Sequence, residues 1–391
     1  MREIPEIEKT VNRFGMEELP SNGLTMIDLF CGAGIGATGF KLAGFEILHA
    51  IDNQSYAVNT YNENIGDHAV VGDIRLVSGT DLPNADVITG GFPCKPFSLI
   101  GKGEGTADEK NGDLGHHFFR IIEEKRPKAF LMENVGGLLT KKHRSFFDEL
   151  VAKFEATGYV VKWSYLDVWE FGVPQKRKRV FAVGIRSDLQ TSYSFPLPIP
   201  VENRTTIRDA IGDLPEPGEE TTVANHVGYG IRNDEAPFVC AIPPGGNWRA
   251  LPEDAQRVFL GNAFNSGGGR TGFLRKVSFS NPAWTITSCM NGKNNAQIVD
   301  LQDKYPEGVI EGNRRFTVRE CLRLQTVPDW FRFSGDLSLA KQYERCSGIP
   351  SLMAQKLGIE LAKALGSEQE VNGKNSNALI IDNSQLINIT E

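Results

Sequence analysis

The residues best suited to covalent and acid–base chemistry sit just after short apolar runs. In Gly90-Gly91-Phe92-Pro93-Cys94-Lys95-Pro96-Phe97-Ser98 a cysteine lies between two prolines at the end of a predicted strand. Prolines hold the backbone rigid there, and a nearby arginine or helix N-terminus would lower the thiol pKa towards a nucleophilic thiolate. Burial in a core is the commonest fate of a free cysteine, so packing and catalysis both stay open for Cys94 at this point. Phe130-Leu131-Met132-Glu133-Asn134-Val135 puts a carboxylate straight after another apolar run. Such an acid is costly unless paired, which makes Glu133 a site residue or the partner of a buried arginine. Gln175-Lys176-Arg177-Lys178-Arg179 leads into the strand-like Val180–Ile185. In extended chain Arg177 and Arg179 share one face and the two lysines share the other, so one pair can enter a crevice while the other stays wet. Read alone, a basic run is more often a solvated face.

A glycine-rich turn lies upstream. Met26–Phe30 reads as a buried strand, followed by Cys31-Gly32-Ala33-Gly34-Ile35-Gly36-Ala37-Thr38-Gly39. Glycines let a backbone approach a ligand where the next helix presents unpaired N–H groups. Asp52 closes the second predicted strand, where a carboxylate can accept from ribose hydroxyls. Gly72-Asp73-Ile74 follows the third, with an acid for an adenine amino group and an isoleucine for the ring face, although such a tripeptide is more often a plain turn. Gly34-x-Gly36-x-x-Gly39 also matches the dinucleotide fingerprint. The turn therefore indicates a nucleoside-containing cofactor, with a nicotinamide dehydrogenase as one reading and a ligand-free turn as the bland one.

Strands alternating with helices must position these groups. Met26–Phe30, Ile47–Ile51, Ala69–Val71, Val87–Thr89, Ala129–Met132, Val160–Tyr165 and Val180–Ile185 are the expected strands, and Phe146–Phe154 has helical spacing of its apolar residues. This order predicts an α/β fold with a Rossmann-like, mostly parallel sheet covered on both faces. The pattern breaks at Ser194–Pro200. From there to about Glu311 glycine, proline and asparagine dominate, as expected of a second, smaller, irregular domain. Thr317-Val318-Arg319-Glu320 has capping-box spacing ahead of a helix, and Ser351–Leu365 reads as another. The expected layout is a polar lead-in over 1–22 and a catalytic domain over 23–195 completed by 345–366. The irregular domain spans 196–315, a connecting helical region 316–344, and a polar tail 367–391.

The chain has 391 residues, 40% hydrophobic and 23% charged, which allows a large core and excludes wholesale disorder. Its net charge of −7 gives no global reason to expect nucleic acid. The local balance differs: from Ala255 to Val299 there is no acid, yet Arg257, Arg270, Arg275, Lys276 and Lys293 are present. A basic stretch inside an acidic protein suits a phosphate-facing surface, or else a flexible polar loop. The cysteines and histidines lack metal-ligand spacing, no apolar run reaches membrane-spanning length, and the start lacks a signal-peptide pattern. A cytoplasmic, metal-free protein, expected to be a monomer, is the reading.

Taken together, Phe30-Cys31-Gly32-Ala33-Gly34, Pro93-Cys94, Glu133-Asn134-Val135, Gln175-x-Arg177-x-Arg179 and Arg319-Glu320-Cys321-x-Arg323-Leu324-Gln325 resemble, in order, the bacterial-type DNA (cytosine-5)-methyltransferases. The resemblance covers roughly residues 24–366. It implies methyl transfer from S-adenosylmethionine to C5 of a flipped-out cytosine in a specific double-stranded DNA sequence, with a possible cognate restriction endonuclease as partner. Cys94 would add at C6, Glu133 would hold or protonate N3 and read the exocyclic amine, Arg179 would hold O2, and Arg177 would support Glu133 and the pocket charge. The implied cofactor contacts are Phe30, Gly32, Ala33, Gly34, Asp52, Asn53, Asp73, Ile74, Pro93, Leu114 and Ser347. Ser98, Arg270, Arg275, Lys276 and Thr285 would face DNA, and the segment from Gly101 to Gly112, with its glycines and mixed charges, would close over the base.

Two positions depart from the family pattern. Lys95 follows the catalytic cysteine where glutamine is usual. In Arg345-Cys346-Ser347-Gly348-Ile349-Pro350-Ser351, Ser347 takes the place of an asparagine that bonds the cofactor, which predicts altered cofactor affinity. A dehydrogenase would leave Cys94, Glu133 and Arg179 idle. A catalytically weak DNA-binding regulator is opposed by the intact Cys94 and Glu133, and an RNA substrate by the long basic segment.

Overall fold

The computed structural model describes residues 14–93, 113–218, 222–265, 272–290, 292, 296–308 and 310–367. Cys94, Ser98, Arg270 and the segment 101–112 lie outside these residues.

A seven-stranded sheet forms the centre, in the order β3-β2-β1-β4-β5-β8-β6. Its strands are β1 (Thr25–Leu29), β2 (Glu46–Asp52), β3 (Ala69–Val71), β4 (Val87–Gly90), β5 (Ala129–Val135), β6 (Tyr159–Asp167) and β8 (Lys178–Arg186). All neighbours from β3 to β5 pair in parallel, while β8 runs antiparallel to both β5 and β6. The β1 and β4 side chains are almost wholly buried, which is why those strands read as continuous apolar runs rather than alternating ones. The strand order reverses between β1 and β4, the place where open α/β sheets leave a crevice for ligands.

The principal helices are α1 (Ile35–Leu42), α2 (Ser55–Asn64), α3 (Leu114–Lys125), α4 (Arg144–Ala156), α5 (Val318–Leu324), α6 (Leu339–Arg345) and α7 (Ser351–Ala364). Two apolar clusters cover the two faces of the sheet: one joins Phe40, Tyr61, Leu352 and Leu357, the other Phe118, Phe130, Phe147 and Phe154. The last glycine of the turn, Gly39, belongs to the first cluster's architecture. A Cβ there would stand 2.0 Å from the Ser351 carbonyl oxygen, so its role is close approach of α1 and α7.

The capping box before α5 is formed: Thr317 Oγ1 accepts from the Glu320 amide at 3.1 Å, and Glu320 Oε2 accepts from the Thr317 amide at 2.8 Å. The lead-in differs from its polar reading. Met16 is buried in the main core, and Gln355 of α7 donates to the Glu17 carbonyl at 2.7 Å. One methionine among charged residues gives no periodic signal, and the face that receives it comes from the other end of the chain.

After residue 200 regular structure is sparse. A two-stranded pairing joins β7 (Gln175–Lys176) to β10 (Ala283–Trp284), and a small sheet orders β12 (Asn313–Arg315), β11 (Gln297–Asp300) and β9 (Arg275–Lys276). One apolar cluster unites Ile207, Val277, Phe279 and Ile286 with Val318, Leu322 and Leu324 of α5 and with Ala33 and Ile35 of the glycine turn. Among the described residues no helix is long and apolar enough to cross a membrane.

Candidate active site

The carboxyl ends of β1 to β5 converge on one cavity of about 250 Å³. Phe30, Gly32, Ala33, Asp52, Asn53, Asp73, Ile74, Pro93, Leu114, Glu133 and Ser347 all line it, with Asp28, Arg75 and Arg345 among the further lining residues. Gly34 shapes the wall from behind. Its φ of +90° suits glycine, and a Cβ would stand 2.8 Å from Ile65. Phe30 holds φ of +59°, an uncommon value for an aromatic residue that turns the chain from β1 into the cavity wall.

Asp52 is fixed by backbone donors. Oδ2 accepts from the Gly32 amide and Oδ1 from the Gln54 amide, both at 3.0 Å, so each oxygen keeps lone-pair capacity for a ligand. Asp73 instead meets Arg75 in a fork, with Nε–Oδ1 at 2.9 Å and Nη2–Oδ2 at 2.7 Å. The Arg75 hydrogen bonds hold the Asp73 carboxyl below the usual range. Asp28 on β1 is buried and makes no side-chain hydrogen bond among the described residues. Burial, and then the charge of Asp52, push its carboxyl up to about 8.

At the next strand ends the acid meets the arginines. Glu133 Oε1 lies 3.0 Å from Arg179 Nε and 3.8 Å from Arg177 Nη2. Register explains the meeting, because β5 runs antiparallel to β8 and Val135 faces Arg179. Arg177 is 3% exposed and also donates through Nη1 to the Ile286 carbonyl at 2.9 Å. Lys176 and Lys178, by contrast, face solvent. The two faces of this run therefore separate as period-2 alternation requires.

Two residues that sequence reasoning passed over hold this arrangement. Asn134 is buried and donates to the Phe92 carbonyl at 3.3 Å, tying the end of β5 to the segment that carries Pro93. Gln175 bonds the Leu324 carbonyl at 2.7 Å and Gln325 Oε1 at 2.9 Å, and Gln325 donates to the Cys346 carbonyl at 2.8 Å. These buried amides connect the arginine strand to the cavity segment at Ser347. Both residues stand inside motifs already quoted, and the partners that reveal their function are distant in sequence.

The expected DNA contacts change. Lys276 is buried, with its ammonium 3.1 Å from Asp300 Oδ2, so it is not available to a phosphate. The acid that neutralises it sits just beyond the acid-free stretch and is brought beside it by the pairing of β9 with β11. Thr285 is half-buried, and its Oγ1 donates to the Lys176 carbonyl at 2.8 Å, which fixes the side chain beside the β7–β10 pair. Arg275 is partly buried with its guanidinium 5.7 Å from the Trp284 ring centre.

Comparison with known proteins settles the family. Residues 24–363 match the C-5 cytosine-specific DNA methylase family. The chain belongs to it. The chain is 32% identical over 356 residues to the Type II methyltransferase M.NgoFVII of Neisseria gonorrhoeae, covering 88% of this chain and 87% of that one. It is 33% identical over 346 residues to the Type II methyltransferase M.Eco47II of Escherichia coli, covering 87% and 79%. The fold is shared with the Entamoeba histolytica methyltransferase EhMeth, at a TM-score of 0.59 and 14% identity over 88% of this chain and 98% of that one. This C-5 cytosine-specific DNA methylase thus places its cavity, Glu133 and both arginines on one edge of a Rossmann-like sheet.

Proposed function

We propose that this enzyme transfers a methyl group from S-adenosylmethionine to C5 of a cytosine extruded from duplex DNA, through a transient bond from Cys94 to C6. The observation that carries the reading is the cluster of Glu133, Arg179 and Arg177 at the edge of a cavity that Pro93, the neighbour of Cys94, also lines.

The cavity residues fit the cofactor. Asp52 retains acceptor capacity for ribose hydroxyls, Phe30 and Ile74 offer apolar walls to a purine, and Gly32 leaves open space where a side chain would stand. Asp73 would receive the adenine amino group beside its bond to Arg75. When bound, S-adenosylmethionine supplies an electrophilic sulfonium methyl group.

The chain's own residues supply the rest. C5 of cytosine is a poor nucleophile. Addition of the Cys94 thiolate at C6 breaks the C5–C6 double bond, and the displaced electron pair is accommodated as Glu133 protonates N3 and Arg179 holds O2. C5 is then enamine-like and able to accept a methyl group. Arg177 supports Glu133 from behind at 3.8 Å. Release of the C5 proton to solvent water, return of the N3 proton to Glu133 and expulsion of the Cys94 thiolate restore the aromatic ring. The base must leave the stack first, because C6 is covered by its neighbours in duplex DNA. The relatives named Type II methyltransferases support a role in protecting DNA within a restriction-modification system, with a nuclease reading the same site.

The test is covalent trapping. Incubated with S-adenosylmethionine and duplex DNA carrying 5-fluorocytosine in varied contexts, the enzyme should form a denaturation-resistant adduct mapping to Cys94. Fluorine does not leave as a proton does, so the bond persists. The mechanism is wrong if no DNA is trapped, or if Cys94→Ala is trapped equally well.

A further inference from the structure

Arg345 ends α6 and enters the cavity wall just before Ser347, yet the mechanism gives it no task. It is held firmly from one side. Its Nη2 donates to Tyr56 Oη at 2.8 Å and to Glu344 Oε1 at 3.3 Å, and its guanidinium lies 4.9 Å from the Tyr56 ring centre. Tyr56 is itself fixed, donating to Glu344 at 3.0 Å and accepting from Lys341 at 3.1 Å. The two remaining nitrogens, the buried Nε and Nη1, make no hydrogen bond among the described residues. A buried donor left unsatisfied is costly, so a ligand acceptor is its natural complement.

The charges around the cavity narrow the choice of ligand group. Four acids line it (Asp28, Asp52, Asp73 and Glu133), against two arginines, Arg75 and Arg345. Arg75 is spent on Asp73. The field of Arg345 reaches the glycine turn, where its charge opposes the upward push that burial gives the Cys31 thiol. S-adenosylmethionine carries one anionic group, the α-carboxylate of its methionine part. Asp52 ends β2 and Asp73 follows β3, and both suit the adenosine part, which leaves the carboxylate to the wall built from 345–349 and the glycine turn.

We infer that Arg345 is a cofactor-binding residue that takes the α-carboxylate of S-adenosylmethionine, with Tyr56 and Glu344 as the residues that position it. The inference rests on the cofactor reading proposed above. The uncommitted Nη1 of the guanidinium can give a carboxylate a charge-assisted hydrogen bond, which a neutral serine hydroxyl at 347 does not.

The test separates the amino-acid part of the cofactor from its adenosine part. Binding of S-adenosylhomocysteine, which keeps the α-carboxylate, and of 5′-methylthioadenosine, which lacks it, is measured by calorimetry on the full chain. Arg345→Ala should weaken S-adenosylhomocysteine about 10- to 100-fold, as loss of a charge-assisted pair implies, and leave methylthioadenosine within about 2-fold. Arg345→Lys should recover part of the loss, and it serves as the folded reference should the alanine variant fail to fold. Equal weakening of both ligands would overturn the inference, because it would make Arg345 a support for Tyr56 alone. No weakening of either would overturn it as well. A wild-type chain that binds neither ligand would instead overturn the cofactor reading, and this inference with it.

Discussion

The crevice of the central sheet and the region after residue 200 use their charged residues in opposite ways. In the crevice, charges end buried strands and stay addressed to a ligand: Asp52 keeps lone pairs, and Glu133 is oriented by Arg179. In the small sheet β12-β11-β9, charges are consumed within the protein. Lys276 is buried on Asp300, Arg315 on Glu235, and Arg314 joins Glu216 to Glu320. The lesson is that a charge at the carboxyl end of a parallel strand is placed by backbone topology alone. A charge in an irregular region takes its meaning from whichever segment folds against it.

The largest expected effect tests the first half of this contrast. Glu133→Gln keeps the shape of the side chain and removes its charge and its ability to pass a proton. Single-turnover methyl transfer to cognate DNA should fall about 100- to 1000-fold, with cofactor affinity little changed. A variant that retains wild-type turnover would make Glu133 a mere anchor for the arginines, and the two regions would then differ less than argued.

Next comes Lys276→Ala, which tests the second half. Asp300 would be left partly buried and unpaired, and stability in urea should fall by about 3 kcal/mol. A lysine that neutralised a phosphate would also lower the slope of log affinity against log salt by about one. An unchanged slope, measured on the folded variant, supports the structural reading of Lys276. A slope reduced by about one would return it to the DNA interface.

These two variants also mark what the sequence makes legible. All seven strands of the central sheet are readable because each is a short, largely apolar run bounded by turn residues, the antiparallel β6 and β8 as much as the parallel ones. Cys94, Glu133, Asp52 and Asp73 are visible for the same reason, each following such a run. The same-face pairing of Arg177 and Arg179 follows from strand alternation, although the specific contact with Glu133 needs the register of β5 on β8. Lys276 misleads because Asp300 lies on a neighbouring strand, 24 residues away. Arg345 is silent because its significance depends on Tyr56, which is 289 residues distant. The glycine turn is half legible: a ligand-approach role fits Gly32, while Gly39 serves helix packing against a segment near the other end.

Gly39→Ala is therefore a packing test at a position that matches a ligand fingerprint. The added Cβ would stand 2.0 Å from the Ser351 carbonyl, a backbone atom with little room to yield, so α1 and α7 must separate. A loss of about 1–3 kcal/mol in urea unfolding is expected, as for other overpacked sites. Cofactor affinity of the folded variant should change less than its stability. The reverse ranking would place Gly39 with the ligand-binding part of the turn.

The smallest effect is expected at Asp28, and its sign distinguishes a crevice acid from a structural one. Burial and the neighbouring Asp52 raise its carboxyl from 3.8 in the unfolded chain to about 8 in the folded one. The folded state therefore holds a proton that the unfolded state gives up above about pH 4. Stability linked to this group is fully present below pH 3.8 and is lost as pH rises towards about 8. Asp28→Asn removes the titration while keeping the shape. It should leave stability unchanged near pH 4 and raise it at pH 8, by about 1–2 kcal/mol after allowing for water in the open cavity. Cys31, Tyr61, Asp52 and Arg345 are the other titratable or charged groups close by, and Cys31 and Tyr61 are pushed up by the same burial. Urea unfolding of wild type and variant across pH 4–8 gives the result directly. A variant that destabilises at every pH would make Asp28 a hydrogen-bonded structural acid. A gap that opens only as pH rises would make it a crevice acid kept uncharged, its ionisation left to a cationic ligand.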